Sequence, residues 1–445
     1  MNKKSFIFGF IIFLGFVILT YFFPITGIDI TWSLKNIDNL SSIMILEDSG
    51  FISSLLTALF LKYSLIKMLA VGLFMTAIFT LIKNLVDKKN PTLSLLAVFL
   101  FLLFDKIVIA SALVQVRGFT TTIIGCLSVI LLIKILLNDN CRKMNYFSLF
   151  ILGAILCNIE LPYAFTIFAI TVLHTITRVD KDEDHIVFLL LGETLAILDV
   201  TLRMKATYTG ISYNLLHQIV PNICSTNFII TLLFSALVMI EAIKIFNSGK
   251  TKTSTLAIFG MASFLFSSLL STNDYLNYIT YIIYTISSIY ILLNITNSRL
   301  FKNKVKLYYL TKLIFLFMFA LFGNVEIDSM LLLSFLDILL ILEIYNRILP
   351  NDFIYPVWIG LYIFILGVNI YVYKNAGMRY DEMNFFIKNK LECTREDITL
   401  PSKYETDFLK DYIPIGKKAI EEYVLYYDID LYDKEKDIII EFREK

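Results

Sequence analysis

Ser5-Phe-Ile-Phe-Gly-Phe-Ile-Ile-Phe-Leu-Gly-Phe-Val-Ile-Leu-Thr-Tyr-Phe-Phe-Pro-Ile25 carries no charged side chain. A hydrocarbon core about 30 Å thick is crossed by roughly 20 helical residues, so this stretch is long enough to span a bilayer. Lys3 and Lys4 precede it, as in a signal peptide, but no small-residue cleavage site follows, and further apolar runs do. It reads as a retained first helix. Comparable runs lie at 64–83, 92–104, 119–138, 147–158, 163–177, 186–202, 228–247, 255–272, 278–297, 307–323, 329–349 and 354–373. The pair 147–158 and 163–177 has a second reading, as one long helix broken at Pro162. The runs lack the period-2 alternation of barrel strands, and backbone in lipid must satisfy its own hydrogen bonds, so the spans are predicted as helices.

The rest of the composition agrees. Of 445 residues, 57% are hydrophobic and 17% charged, against about a quarter charged in soluble domains. The net charge of +1 argues against a nucleic-acid binder. Cys126, Cys141, Cys157, Cys224 and Cys393 have no CxxC or metal spacing, and His174, His185 and His217 are scattered. There is no P-loop, GxGxxG, HExxH or GxSxG.

Lysine and arginine set the expected orientation. With the N-terminus inside, nineteen fall in inner segments, Lys3, Lys4, Lys88, Lys89, Arg142, Lys143, Lys304 and Lys312 among them; seven fall in outer segments before residue 374. The expectation is an all-α polytopic membrane protein of about thirteen transmembrane helices, N-terminus cytoplasmic and C-terminus outside. Residues 1–373 form the helical domain, with a first outer loop at 26–62 whose apolar second half is expected as an interfacial helix. Residues 374–445, much more charged, are expected as a small extracytoplasmic α/β appendage, with helices near 378–391 and 406–426 and strands at 397–401 and 436–442.

Candidate chemistry collects in the outer segments. Asp29-Ile-Thr-Trp32 places an acid beside an aromatic ring just past the first span, where it could serve as a general base; an ordinary interfacial loop with Trp32 in the aromatic belt is the alternative. Glu160, in Cys157-Asn-Ile-Glu-Leu-Pro-Tyr163, lies between apolar stretches, where an ionisable group is costly and a functional candidate, or else marks a solvated loop tip. Arg117 opens a span; its fork of donors suits phosphate oxygens, or its stem snorkels. Arg203 and Lys205 begin a second outer loop and are further cationic candidates. Glu193, Asp199, Asp337 and Glu343 fall inside expected spans and mark either a polar cavity or helices that end earlier.

This layout resembles the GT-C superfamily of membrane glycosyltransferases, and more narrowly the bacterial GtrII-like and related polytopic proteins. The motifs that carry the resemblance are Asp29-Ile-Thr-Trp32, where Ile28 stands in place of a usual second acid; Asn158-Ile-Glu160; and the tail's Ile398-Thr-Leu-Pro401 and Tyr426-Tyr-Asp428. The resemblance implies transfer of a sugar from a polyprenyl-phosphate carrier to a cell-envelope glycan or lipid acceptor on the outer face of a plasma membrane. It implies Asp29 and Glu160 as catalytic residues and Trp32, Arg117, Asn158, Arg203 and Lys205 as substrate-binding, with Asp29 deprotonating the acceptor or holding a divalent cation. The competing expectations are a flippase or transporter of lipid-linked glycans, a polysaccharide polymerase, and a non-catalytic assembly partner.

Overall fold

The computed structural model describes residues 3–22, 50–104, 106–138, 144–177, 184–203, 228–247, 258, 262, 274–295, 299–322, 331–348, 355–393, 397–401, 403, 420, 421, 423, 424, 429 and 440–442. These form fourteen helices and two short strands. The helices are α1 (Lys3–Tyr21), α2 (Phe51–Lys62), α3 (Ser64–Val86), α4 (Thr92–Leu102), α5 (Lys106–Val114), α6 (Val116–Leu137), α7 (Tyr146–Cys157), α8 (Leu161–Thr177), α9 (Asp184–Arg203), α10 (Phe228–Asn247), α11 (Asp274–Ile295), α12 (Arg299–Phe322), α13 (Leu331–Ile348) and α14 (Tyr355–Cys393). Four of them, α3, α6, α9 and α14, are long and apolar enough to cross a membrane, as an integral membrane protein requires. The run expected at 255–272 lies outside the described residues apart from 258 and 262.

Burial explains why these segments are helices without conventional amphipathicity. On α9, Val187, Leu191, Leu195, Leu198 and Leu202 are exposed. Their spacing of three and four residues makes one outward apolar stripe, the surface that a lipid solvent accepts and water does not. The inward faces meet at a stack of rings. Phe16 of α1, Phe79 of α3, Phe101 of α4 and Phe335 of α13 have neighbouring centroids 5.3–6.0 Å apart, with Phe101 and Phe335 nearly parallel. The first fourteen residues of α13 are all buried, so this helix runs through the interior of the bundle.

Contacts at the two ends give the helix directions. At one end, Gly50 and Phe51 at the start of α2 meet Ile159 and Asp199. At the other, Lys83 of α3 donates to Ser5 of α1, Lys304 of α12 donates to the Leu85 carbonyl of α3, and Asn90 donates to Asn346 of α13. Helices α1, α4, α7, α9 and α12 therefore run toward the first end, and α3, α6, α8 and α13 run away from it. The ring of Tyr146 lies on His185, and Asn158 bonds Asp199, so α7 and α9 are parallel. Thr171 donates to Glu193, which makes α8 antiparallel to both. The stretch around Pro162 is thus a reversal between two helices, not one broken helix.

α14 differs from expectation. It continues as one helix of 39 residues to Cys393, so the stretch expected as a separate helix at 378–391 is its extension, and the boundary at 373/374 falls inside it. Asn369 and Tyr373 donate to the carbonyls of Leu102 and Lys106. α14 is therefore parallel to α4 and leaves the bundle at the end where α2 starts. Its last turns form a second small core: Tyr380, Met383, Ile387 and Leu391 pack with Ile398, Leu400, Ile420, Tyr423 and Ile440. The two predicted strands are present as β1 (Ile398–Leu400) and β2 (Ile440–Phe442), paired in parallel with Ile398 opposite Ile440. A parallel pair needs a long crossover, and the helical residues 420, 421, 423 and 424 lie on it.

Candidate functional site

The start of α2 gathers polar groups from α9 and from the turn between α7 and α8. Gly50 N–H donates to the Ile159 carbonyl at 2.7 Å, Phe51 N–H to Asp199 Oδ2 at 3.1 Å, and Ile52 N–H to Asn158 Oδ1 at 2.6 Å. A helix start leaves backbone donors without intrahelical partners. Two are met here by side chains from α9 and from the end of α7, instead of by a residue just ahead of the helix. Asn158 Nδ2 in turn donates to Asp199 Oδ2 at 2.9 Å, and Arg203 Nε donates to Asp199 Oδ1 at 2.6 Å. The Arg203 guanidinium lies 5.4 Å from the centre of the Phe51 ring. Gly50 is required by the close approach: a Cβ there would sit 2.7 Å from the Asn158 carbonyl carbon, which is backbone and cannot swing aside.

The next turn of α2 faces α6. Ser53 Oγ donates to the Thr120 carbonyl, and the hydroxyls of Thr57 and Thr120 are 2.7 Å apart. Ser53, Ser54, Thr57 and Phe60 are buried, while Leu55 and Leu59 are exposed. The hydroxyl face of this helix points inward and its apolar face outward. The α6 segment it touches is irregular. The chain breaks after Leu102 and at Gln115, and Phe119–Ile123 form a π turn, a feature common at functional sites. Broken backbone within a membrane must find donors from its surroundings. Lys106 and Asn369 donate to the Leu102 carbonyl, Lys67 donates to the Val114 carbonyl, and Thr120 and Thr121 donate back to the carbonyls of Val116 and Arg117.

The chain matches no family model, no curated protein and no solved structure.

Of the sequence candidates, Asn158 and Arg203 are brought to one place, and Glu160 follows directly on Ile159, whose carbonyl Gly50 bonds. Asn158 and Arg203 are joined through Asp199, and the Glu160 carbonyl accepts from Ala164 at the start of α8. Arg117 stands on the α6 segment that packs against the same two turns of α2. Asp29, Trp32 and Lys205 lie outside the described residues. Among the described residues no cluster of His, Cys, Asp and Glu could hold a metal ion.

Asp199 is the hub that the sequence marked only as an acid inside a span. The signal that could have found its first partner is its spacing of four from Arg203. Asp337 and Glu343 lie within α13. They pair with Lys312 (2.6 Å) and Lys304 (3.4 Å), and these two lysines, expected in inner segments, lie within α12. Glu193 is buried and accepts from Thr171 through Oε1, while Oε2 has no hydrogen-bond partner.

Proposed function

We propose that the chain is a glycosyltransferase of the GT-C type in a bacterial plasma membrane. It would thread the bilayer about thirteen times with the N-terminus cytoplasmic, and would move a sugar from a polyprenyl-phosphate carrier to an envelope glycan or lipid acceptor outside. The observation that carries the proposal is the clamp at Gly50. It fastens the return of the first loop, which holds Asp29 and Trp32, to the turn that holds Asn158 and Glu160 and to the helix that ends in Arg203. α14 delivers the C-terminal unit to the same end of the bundle.

The chemistry needs a base or a cation ligand at the acceptor and positive charge at the departing phosphate. An acceptor hydroxyl oxygen attacks the anomeric carbon of the donor. The bond from that carbon to the phosphate oxygen breaks, and its electron pair leaves with the polyprenyl phosphate. Asp29 takes the hydroxyl proton; were a divalent cation bound there, Asp29 would be its ligand and the cation would supply positive charge beside the attacking oxygen. Arg117 faces the charge that grows on the phosphate, and Glu160, Arg203 and Lys205 add charge around the same pocket. The active site would lie on the face opposite to cytoplasmic nucleotide sugars, so the donor is lipid-linked.

An Asp29→Asn variant keeps the side-chain shape and removes the charge. It is expected to abolish glycan modification while the protein remains folded in the membrane at its normal level; unchanged glycan would remove Asp29 from the mechanism. A transporter of lipid-linked glycans is the second reading, favoured by the broken backbone between α4 and α6 and by ionised pairs inside the bundle. The two readings separate on a covalent bond. Incubation with a sugar-labelled polyprenyl phosphate releases free polyprenyl phosphate if the protein is a transferase, and leaves the donor intact if it is a transporter.

A further inference from the structure

α12 and α13 are joined by two acid–base pairs in antiparallel register. Lys304 pairs with Glu343 and Lys312 with Asp337, so residues eight apart on one helix meet residues six apart in the reverse order on the other. All four side chains are largely buried; those of Lys312 and Asp337 are 6% and 12% exposed. Lys312 sits thirteen residues into a helix of 24 residues, near its middle. α12 carries Arg299, Lys302, Lys304, Lys306 and Lys312, and α13 carries Asp337, Glu343 and Arg347. Yet α13 is buried on every side along its first fourteen residues and contributes Phe335 to the central ring stack.

A lysine or an aspartate at the centre of a lone membrane helix is strongly disfavoured, and the cost falls when opposite charges enter together and desolvate as a pair. Only eight residues, 323–330, connect the two helices, and a short connection makes neighbours antiparallel. We propose that α12 and α13 enter the membrane as one hairpin, each carrying the charge that allows the other to insert, with Lys312–Asp337 as the deciding pair. Lys304 then fastens the finished hairpin to the bundle, because its ammonium group also donates to the Leu85 carbonyl at the end of α3.

The test is orientation-independent. Single cysteines replace Thr296, ahead of α12, and Ile327, between the helices, and reaction with a membrane-impermeant maleimide is read at each residue by peptide mass spectrometry, on intact and on opened membranes. In the parent the two positions react from opposite faces. In Asp337→Leu they are expected to react from the same face, with at least a fivefold loss of the parent pattern. Lys312→Leu/Asp337→Leu and the exchanged pair Lys312→Asp/Asp337→Lys are expected to restore it. An Asp337→Leu protein that keeps the parent pattern overturns the proposal. So does a double-leucine protein that fails to insert, since removal of both charges must relieve the need for pairing.

Discussion

Asp199 shows how much one side chain can hold when its neighbours come from distant parts of the chain. Its carboxylate receives the Phe51 N–H, the Asn158 amide and the Arg203 guanidinium, so it acts as the cap of α2 from 148 residues away. Loss of a capping acceptor costs about 1 kcal/mol, and here the same change also removes a partner of a largely buried arginine. Asp199→Ala is expected to destabilise the protein by about 1–2 kcal/mol, measured as a lower midpoint of thermal aggregation in detergent. Gly50→Ala should do at least as much harm, because the new methyl group meets backbone. A variant of either residue with an unchanged midpoint would show that the start of α2 is not fastened here. The sequence marked Asn158, Glu160 and Arg203 individually. It could not show that two of them share an acid, because a pairing across 41 residues leaves no trace in local periodicity.

Helices rather than residues decide the packing of α7 against α9. These parallel helices meet at two glycines that face each other's backbone: a Cβ on Gly153 would run into the Leu189 carbonyl, and one on Gly192 into the Phe150 carbonyl. Small residues let helix backbones approach closely where lipid supplies no hydrophobic drive between them. Gly192→Leu is expected to push the two helices apart at a cost of about 1–3 kcal/mol, visible as loss of the monodisperse peak in size-exclusion chromatography. A control at the lipid-exposed Leu195, changed to Ile, should leave that peak in place. Most helices were legible, because a run of apolar residues of spanning length has few other readings. The short helix Lys106–Val114, between the runs at 92–104 and 119–138, was not. The carbonyls of Leu102 and Val114 at the two breaks are answered by Asn369 and Lys67, and nothing in residues 92–118 announces donors that lie so far away in the chain. Lys312 was misplaced for a similar reason: an isolated lysine inside an apolar run reads as a boundary until its acid is known.

The whole molecule has two chemically different ends. One gathers the start of α2, the Asn158 turn, the end of α9 and the exit of α14; the other holds Ser5, Lys83, Asn90, Lys304 and Asn346. If the first end faces outward, reporter fusions after Lys89 and Lys143 will score as cytoplasmic and a fusion after Lys445 as external. A cytoplasmic score at Lys445 would separate the tail from the proposed site and remove the basis for a transferase. The alternating directions of the helices joined by these contacts followed from the order of the apolar runs. The tail's two strands were also legible, as short β-rich stretches, but not the continuity of α14, since a change from apolar to charged composition looks like a domain boundary whether or not the helix stops.

An unbroken α14 makes the tail a lever. At 1.5 Å per residue, the twenty residues from Lys374 to Cys393 extend ~30 Å beyond the span. A change in tilt of about 10°, well inside the range that membrane helices adopt, swings the far end sideways by ~5 Å. Tilt answers to bilayer thickness, so a thicker or thinner membrane would shift the small sheet sideways at that end of the bundle without any hinge within α14.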